Sequence, residues 1–260
     1  TSWASLPEHT MPFNLETNKP LIWELDHNRV LAFSGEHVQS RMDLRDPDAL
    51  QLEYTRIMMG FVLHVPSPRT MAMVGLGGGS LAKFCHRHLP HAHMAVIEID
   101  ADVIAMRETF AVPPDGPRLY VHHADAADFM RHCESEFDVI LADGFDQHGL
   151  SPQLGTTRFF EDCRQALTPA GMLVANLHGC DDGYATVLGR IEQVFDGCAV
   201  EVTCSRSSNR IVFAARNPSQ ALVNLSHIQR PMGFDLGAWK TLTPALWRVA
   251  FQARQMLPAT

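Results

Sequence analysis

No two of the six cysteines form a CxxC pair; they are scattered at 85, 133, 163, 180, 198 and 204. In a chain of 260 residues that scatter points to reduced thiols and excludes a disulfide framework. No apolar run reaches the roughly 18 residues that a membrane helix needs, so no membrane partner is expected. Residues 1–14 lack a basic flank followed by an apolar core, so no secretory leader is expected. Together with the thiols this predicts a cytoplasmic location. Positive charge is scarce: 21 Lys and Arg stand against 29 Asp and Glu, a net charge of −8. The balance, and the absence of basic residues interleaved with aromatics, argues against nucleic acid and mildly favours a cationic partner. No GxSxG elbow is present, and no Ser-His-Asp arrangement is readable. There is no internal repeat and no low-complexity segment.

What is present is a globular composition, 46% apolar and 19% charged. The chain divides into three parts. Residues 1–66 read as a β-rich region with a linking helix. Leu21–Leu25 and Arg29–Phe33 are strand-like about an Asp26-His27-Asn28 turn, and a Ser34-Gly35-Glu36 turn leads into His37–Met42. Asp48–Leu63 carries helical periodicity, and Pro66-Ser67-Pro68 breaks the chain before the next part. Residues 67–216 alternate strands (Thr70–Val74, Met94–Ile99, Leu119–His122, Val139–Ala142, Met172–Asn176, Arg210–Ala214) with helices (Leu81–His88, Ala101–Phe110, Ala126–Cys133, Arg158–Leu167, Tyr184–Phe195). That order predicts an α/β fold, a mostly parallel sheet with helices on both faces. Residues 217–260 are read as a C-terminal extension with a helix over Pro244–Met256, in which Trp239 and Trp247 pack on the main domain.

The first strand of the middle part ends in Gly75-Leu76-Gly77-Gly78-Gly79, and a helix begins at once. The next strand closes on Glu98-Ile99-Asp100. Apolar strand, glycine turn, helix, second strand and terminal acid form the layout of a nucleotide-binding βαβ unit. Glycines let the backbone approach a ligand without Cβ clashes. An acid at the end of the second strand can accept from both ribose hydroxyls, so an adenosine-type ligand is expected. NAD, FAD and S-adenosylmethionine all use loops of this kind, and the loop alone does not choose among them.

Ligands in such sheets bind beyond the carboxyl ends of the strands. Polar groups follow the second to fifth strands: Glu98 and Asp100, then His122, His123 and Asp125, then Asp143 and Asp146, then Asn176 and His178. Asp125 can cap the helix that opens at Ala126 and can accept from an adenine amino group. Asp143 and Asp146 flank a glycine after a strand that points into the cleft. A protonated amine is unreactive; one carboxylate could take its proton while the other holds a second cationic end. The same pair also fits an ordinary acidic turn. His86, His88, His91 and His93 are read as a surface or loop cluster, and no metal site is expected.

The order of glycine loop, Glu98-Ile99-Asp100, Asp125 and Asp143-x-x-Asp146 resembles the polyamine aminopropyltransferases, the spermidine and spermine synthase family. Ser34-Gly35-Glu36-His37-Val38-Gln39, Glu53-Tyr54, His64-Val-Pro-Ser-Pro, Phe137–Asp143 and Leu167–Gly171 are similar to further family segments. The likeness spans roughly residues 20–215. It implies a Rossmann-like doubly wound sheet of the class I S-adenosylmethionine-dependent-methyltransferase type, with a small N-terminal β-rich domain. It implies decarboxylated S-adenosylmethionine as co-substrate, no tightly bound cofactor, and a polyamine such as putrescine as acceptor. By the same resemblance Gly75, Gly77, Gly78 and Gly79 cradle the nucleoside, Glu98 holds the ribose and Asp125 the adenine. Asp143 is the general base assisted by Tyr54, and Asp146, Gln39 and Asn176 lie on the acceptor side. Family members are often dimers or tetramers, which makes a homo-oligomer an expectation here. Departures from the family pattern fall at Gly78, at Thr55-Arg56 and at Asn176, which lies near a Gln that the family uses around the acceptor. Gly78 stands where the loop normally carries an Asp that binds the aminopropyl amine, and Thr55-Arg56 stands where Gln-Glu is usual. Gly78 motivates an alternative, a methyltransferase using ordinary S-adenosylmethionine. Arg56 motivates another, an inactive nucleoside-binding relative.

Overall fold

The computed structural model describes residues 20–33, 37–146, 149–217 and 228–255. The Ser34-Gly35-Glu36 turn lies outside them. Strands β1 (Leu21–Leu25), β2 (Asn28–Phe33) and β3 (His37–Asp43) form an antiparallel sheet in the order β1-β2-β3. Helix α1 (Glu53–Met58) runs into a 3-10 turn over Met59–Leu63. The main sheet then alternates with helices. It is built from β4 (Thr70–Val74), α2 (Ser80–His88), β5 (His93–Glu98), α3 (Ala101–Ala105), β6 (Leu119–His123), α4 (Ala126–Met130) and β7 (Phe137–Ala142). A small β8–β9 hairpin (Phe145–Asp146, Gly149–Leu150) follows, then α5 (Thr157–Ala166), β10 (Leu167–His178), α6 (Tyr184–Val194), β11 (Ala199–Thr203), β12 (Asn209–Ala215) and α7 (Leu236–Gln255).

The seven strands lie in the order β11-β12-β10-β7-β4-β5-β6. β4, β5, β6, β7 and β10 are parallel, and β12 runs antiparallel between β10 and β11. The chain moves outward from β4 through β5 to β6, then returns to start β7 on the other side of β4. The topological switch point therefore lies between β4 and β7, where their carboxyl ends open a crevice. This is the Rossmann-like, methyltransferase-type α/β sheet expected, with a small antiparallel sheet at its N-terminal side.

Alternate residues of each central strand feed two cores. Met71, Met73, Val139 and Leu141 face one side with α2 and α7, while Ala72, Val74 and Ile140 face the other with α5 and α6. Both faces of β4 and β7 are thus dry, which explains their continuous apolar sequences.

Four expectations are corrected. The helix predicted over Ala101–Phe110 ends at Ala105. The following segment turns so that Phe110 is fully buried and its carbonyl accepts from the Lys83 ammonium at 2.7 Å. Strand β11 has no counterpart among the expected strands; it is a short edge strand, and only Ala199 and Val202 are buried. Helix α7 starts at Leu236 and continues through Pro244. An interior proline costs about 3 kcal/mol. Burying Leu242, Leu246 and Val249, at roughly 1.5–3 kcal/mol each, outweighs it. Trp239 packs edge-on against Phe234, but Trp247 is 53% exposed and does not join the core.

Candidate active site

The crevice at the switch point opens into a cavity of about 520 Å³. It is lined by Gly75, Leu76, Gly77 and Gly78, by Glu98 and Asp125, and by Tyr54 with Asp143. Gln39 and Ser40, in the middle of edge strand β3, and Ser151–Leu154 complete it. The fold therefore gathers residues from separate stretches of sequence around one space.

Gly75 adopts φ +88°, and a Cβ there would lie 2.4 Å from the Asp143 carbonyl oxygen. Only glycine lets the loop after β4 pass that close to the segment after β7. Asp143 N–H also donates to the Val74 carbonyl at 2.9 Å, so the two strand ends are locked together. At Gly78 the constraint is space: a Cβ would lie 2.5 Å from Ser40 Oγ and 3.0 Å from Phe110 Cδ1. Ser40 is buried and sits 3.2 Å from Ser80 Oγ. Two neutral hydroxyls thus occupy the region beside the loop position where the family pattern has an acid. Gly79 faces away from the cavity, toward Val112.

Glu98 is buried, and each carboxylate oxygen accepts one backbone N–H: Oε2 from Leu76 and Oε1 from Asp100, both at 2.8 Å. A carboxylate has about four lone-pair sites, so two remain for a ligand in the cavity. Asp125 caps α4 through Oδ1, which accepts from Ala127 at 2.7 Å and from Asp128 at 3.4 Å. Both bonds fall on one oxygen, and Oδ2 keeps its lone pairs. Capping and ligand binding are compatible at this residue.

Asp143 is gripped from two sides. Tyr54 O–H donates to Oδ2 at 3.1 Å, and Asn176 Nδ2 donates to Oδ1 at 2.8 Å. Burial pushes the Asp143 carboxyl above the usual carboxylate range, and the Asn176 and Tyr54 hydrogen bonds pull the other way. Burial, and then the charge of Asp143, push the Tyr54 phenol well above its ordinary value. Tyr54 therefore stays protonated as a donor, and the proton affinity of Asp143 is raised. If Asp143 serves as a base it does so when ionised, and that function is lost as pH falls through the raised value. Removing the phenol destabilises the carboxylate further. Tyr54→Phe is therefore expected to move the acid limb of the kcat/KM profile upward by about one pH unit, the worth of one hydrogen bond to a charge. A limb that stays put or moves down contradicts the assignment.

Not every predicted residue reaches the cavity. Asn176 is buried behind Asp143 and does not line the space. The side chain of Asp146 lies outside the described residues. Arg56 turns away and donates to the Leu50 and Gln51 carbonyls at 2.7 and 3.0 Å, so its charge does not enter the cavity. His122 packs between Tyr120 and Phe129, and His123 contacts the Ile99 carbonyl; neither lines the cavity. His88, expected at the surface, is buried against Phe84 and Phe234. Among the described residues no group of three His, Cys, Asp or Glu is placed to hold a metal ion. Likewise, no described helix is long and apolar enough to cross a membrane. Ser40 and Ser151–Leu154 are cavity residues that sequence reasoning misses, since nothing marks them beyond ordinary strand and turn polarity.

Residues 51–210 match the family described as the spermine/spermidine synthase domain. A polyamine aminopropyltransferase of Chromobacterium violaceum is 39% identical over 189 residues, 72% of this chain and 72% of that protein. A probable spermidine synthase from Corynebacterium glutamicum superposes with a TM-score of 0.67 at 21% identity, covering 87% of this chain and 83% of the other. Human methyltransferase-like protein 13, crystallised with SAH, superposes at 0.60 and 23% identity, covering 80% and 95%. The two structures share the fold with this chain, while the matched domain and the sequence relative establish its family. With a glycine loop, a strand-end acid and a tyrosine-bound aspartate around one switch-point crevice, this chain belongs to the polyamine aminopropyltransferases, the spermine/spermidine synthase family of transferases.

Proposed function

We propose that the chain transfers the aminopropyl group of decarboxylated S-adenosylmethionine to a polyamine acceptor such as putrescine. The observation that carries this reading is Asp143, a carboxylate of raised proton affinity, held by Tyr54 and Asn176 on the wall of a nucleoside-sized cavity. The glycine loop and Glu98 would hold the sugar, and Asp125 Oδ2 the adenine amino group. Asp143 would take a proton from the acceptor amine as its nitrogen attacks the carbon bonded to sulfur. The carbon–sulfur bond breaks, and its electron pair stays on sulfur. The sulfonium thereby becomes a neutral thioether, methylthioadenosine, so no acid is needed at the leaving group. Proximity and amine deprotonation then supply the rate. Asp146 and Gln39 are proposed to bind the acceptor.

Purified protein given decarboxylated S-adenosylmethionine and putrescine should yield spermidine and methylthioadenosine in equal amounts. No turnover with any di- or polyamine would overturn the proposal.

A second reading is supported by Gly78 and the Ser40–Ser80 hydroxyls: the cavity lacks the acid that would repel a donor carboxylate. Under that reading the chain is a methyltransferase using ordinary S-adenosylmethionine. Calorimetry with both donors separates the two, because tighter binding of the decarboxylated form rejects methyl transfer. The third alternative, an inactive relative, rests on Arg56, which points away from the cavity.

A further inference from the structure

Behind Asp143 lies a chain of neutral polar groups that the transfer reaction does not itself require. Asn176 Nδ2 donates to Asp143 Oδ1 at 2.8 Å. Asn209 Nδ2 donates to Asn176 Oδ1 at 2.9 Å, and Ser207 Oγ donates to Asn209 Oδ1 at 2.6 Å. Asn176 and Asn209 are both buried, while Ser207 is exposed. The two asparagines sit on antiparallel partners: Asn176 is on β10, and Asn209 opens β12, where it pairs with His178. Their side chains meet across the sheet.

The direction of this chain follows from its end group. An ionised carboxylate can only accept, so Asn176 must present its amino group to Asp143. Its carbonyl then faces Asn209, which must present its own amino group in turn. The Asn209 carbonyl is left for the Ser207 hydroxyl. Every donor points one way, toward Asp143. Bonds aligned in this way polarise one another in a low-dielectric interior.

The loop between β11 and β12 also anchors the start of α1, the helix that carries Tyr54. Ser205 N–H, Ser205 O–H and Arg206 N–H donate to the Glu53 carboxylate at 3.0, 2.7 and 2.9 Å. Arg248 of α7 closes the cluster at 2.5 Å. Glu53 immediately precedes Tyr54, whose hydroxyl bonds Asp143 Oδ2. One hairpin loop therefore supports both hydrogen bonds made to the carboxylate.

We propose that Asn209, acting through Asn176, is a positioning residue for Asp143, and that the β11–β12 loop holds the carboxylate in its working orientation and ionisation. This rests on the reading of Asp143 as the base. Tyr54 is the titratable side chain bonded to Asp143, and Cys204, at the start of the loop, acts electrostatically on Tyr54. Glu98, Asp100 and Asp125 face the same cavity from the ends of β5 and β6.

The test titrates Asp143 directly. Protein carrying carbon-13 aspartate carboxyls is followed by NMR against pH, and the Asp143 resonance is assigned by its loss in Asp143→Asn. Asn209→Leu is close in shape but cannot donate. It should raise the Asp143 midpoint by about half to one pH unit, in the same direction as Asn176→Leu. The acid limb of kcat/KM should move with it. A midpoint unmoved in Asn209→Leu, with turnover merely scaled down at every pH, reduces Asn209 to a packing residue and overturns the proposal. If Asn209→Leu does not fold, Ser207→Ala at the exposed end should give a smaller upward shift. An unmoved midpoint there overturns it equally. A shifted midpoint in a protein without polyamine turnover leaves the relay standing and removes the proposed reaction instead.

Discussion

Asp143→Asn should lower kcat by roughly a hundredfold to ten-thousandfold, the usual worth of a positioned general base, and leave nucleoside affinity near its original value. The substitution suits this site. The introduced amide can accept the Asn176 N–H through its oxygen, as Asp143 Oδ1 does at 2.8 Å. Its amino group can donate to the Tyr54 hydroxyl oxygen, reversing the bond now made to Oδ2. Both partners stay satisfied and only the basicity is lost. Stability follows from the sign of the shift. Burial raises the Asp143 carboxyl above its unfolded value, so ionising it at neutral pH opposes folding. A neutral isostere removes that opposition, and thermal midpoints at pH 7 should be equal or higher. Steady-state kinetics at saturating donor and acceptor, beside calorimetric titration with the nucleoside product, check both halves. Turnover within a fewfold of the original protein would remove Asp143 from the mechanism. A large rise in nucleoside Kd would mean that the residue binds donor instead of activating acceptor.

Much of this is legible in the sequence, for reasons that vary by residue. β4 and β7 are dry on both faces, so Thr70–Val74 and Val139–Ala142 stand out as uninterrupted apolar runs. The residues after them, Gly75 and Asp143, are therefore assignable to the crevice from the sequence. Asp125 is legible as a cap because a capping acid directly precedes its helix. Asn176 shows the limit. Its place at a strand end suggests ligand contact, but the β10–β12 register turns it toward Asp143 and Asn209. Register is a property of pairing and not of one strand, so sequence spacing does not carry it. Ser40 is hidden for a related reason. It is an ordinary polar residue on β3, and its part emerges only where the small sheet meets Gly78. Arg56 misleads by charge alone; the backbone carbonyls that receive it lie five and six residues earlier in the chain.

Glu98→Gln is expected to act at the opposite end of the site. Both carboxylate oxygens already receive backbone N–H groups, from Leu76 in the glycine loop and from Asp100 at the start of α3. A glutamine offers one oxygen and one amino group. Whichever way it turns, an N–H of the protein faces an N–H of the side chain. Either the loop or the helix start must give, and the buried donor left unpaired costs about 1–3 kcal/mol. Under the proposed function the ribose would meet the same deficit, because the charged acceptor offered to its two hydroxyls becomes a single neutral one. Losing most of two hydrogen bonds to a charge, at roughly 1.5–3 kcal/mol each, corresponds to a rise in nucleoside Kd of about a hundredfold to ten-thousandfold. The reacting carbon is bound to sulfur and lies beyond the ribose, so kcat at saturating donor should change far less than KM. That split is the reverse of the one expected for Asp143→Asn, and together the two variants separate binding from chemistry. Nucleoside binding as tight in Glu98→Gln as in the original protein would remove Glu98 from the ribose site. A matched loss of kcat with unchanged KM would place Glu98 nearer the transfer step than the strand order allows.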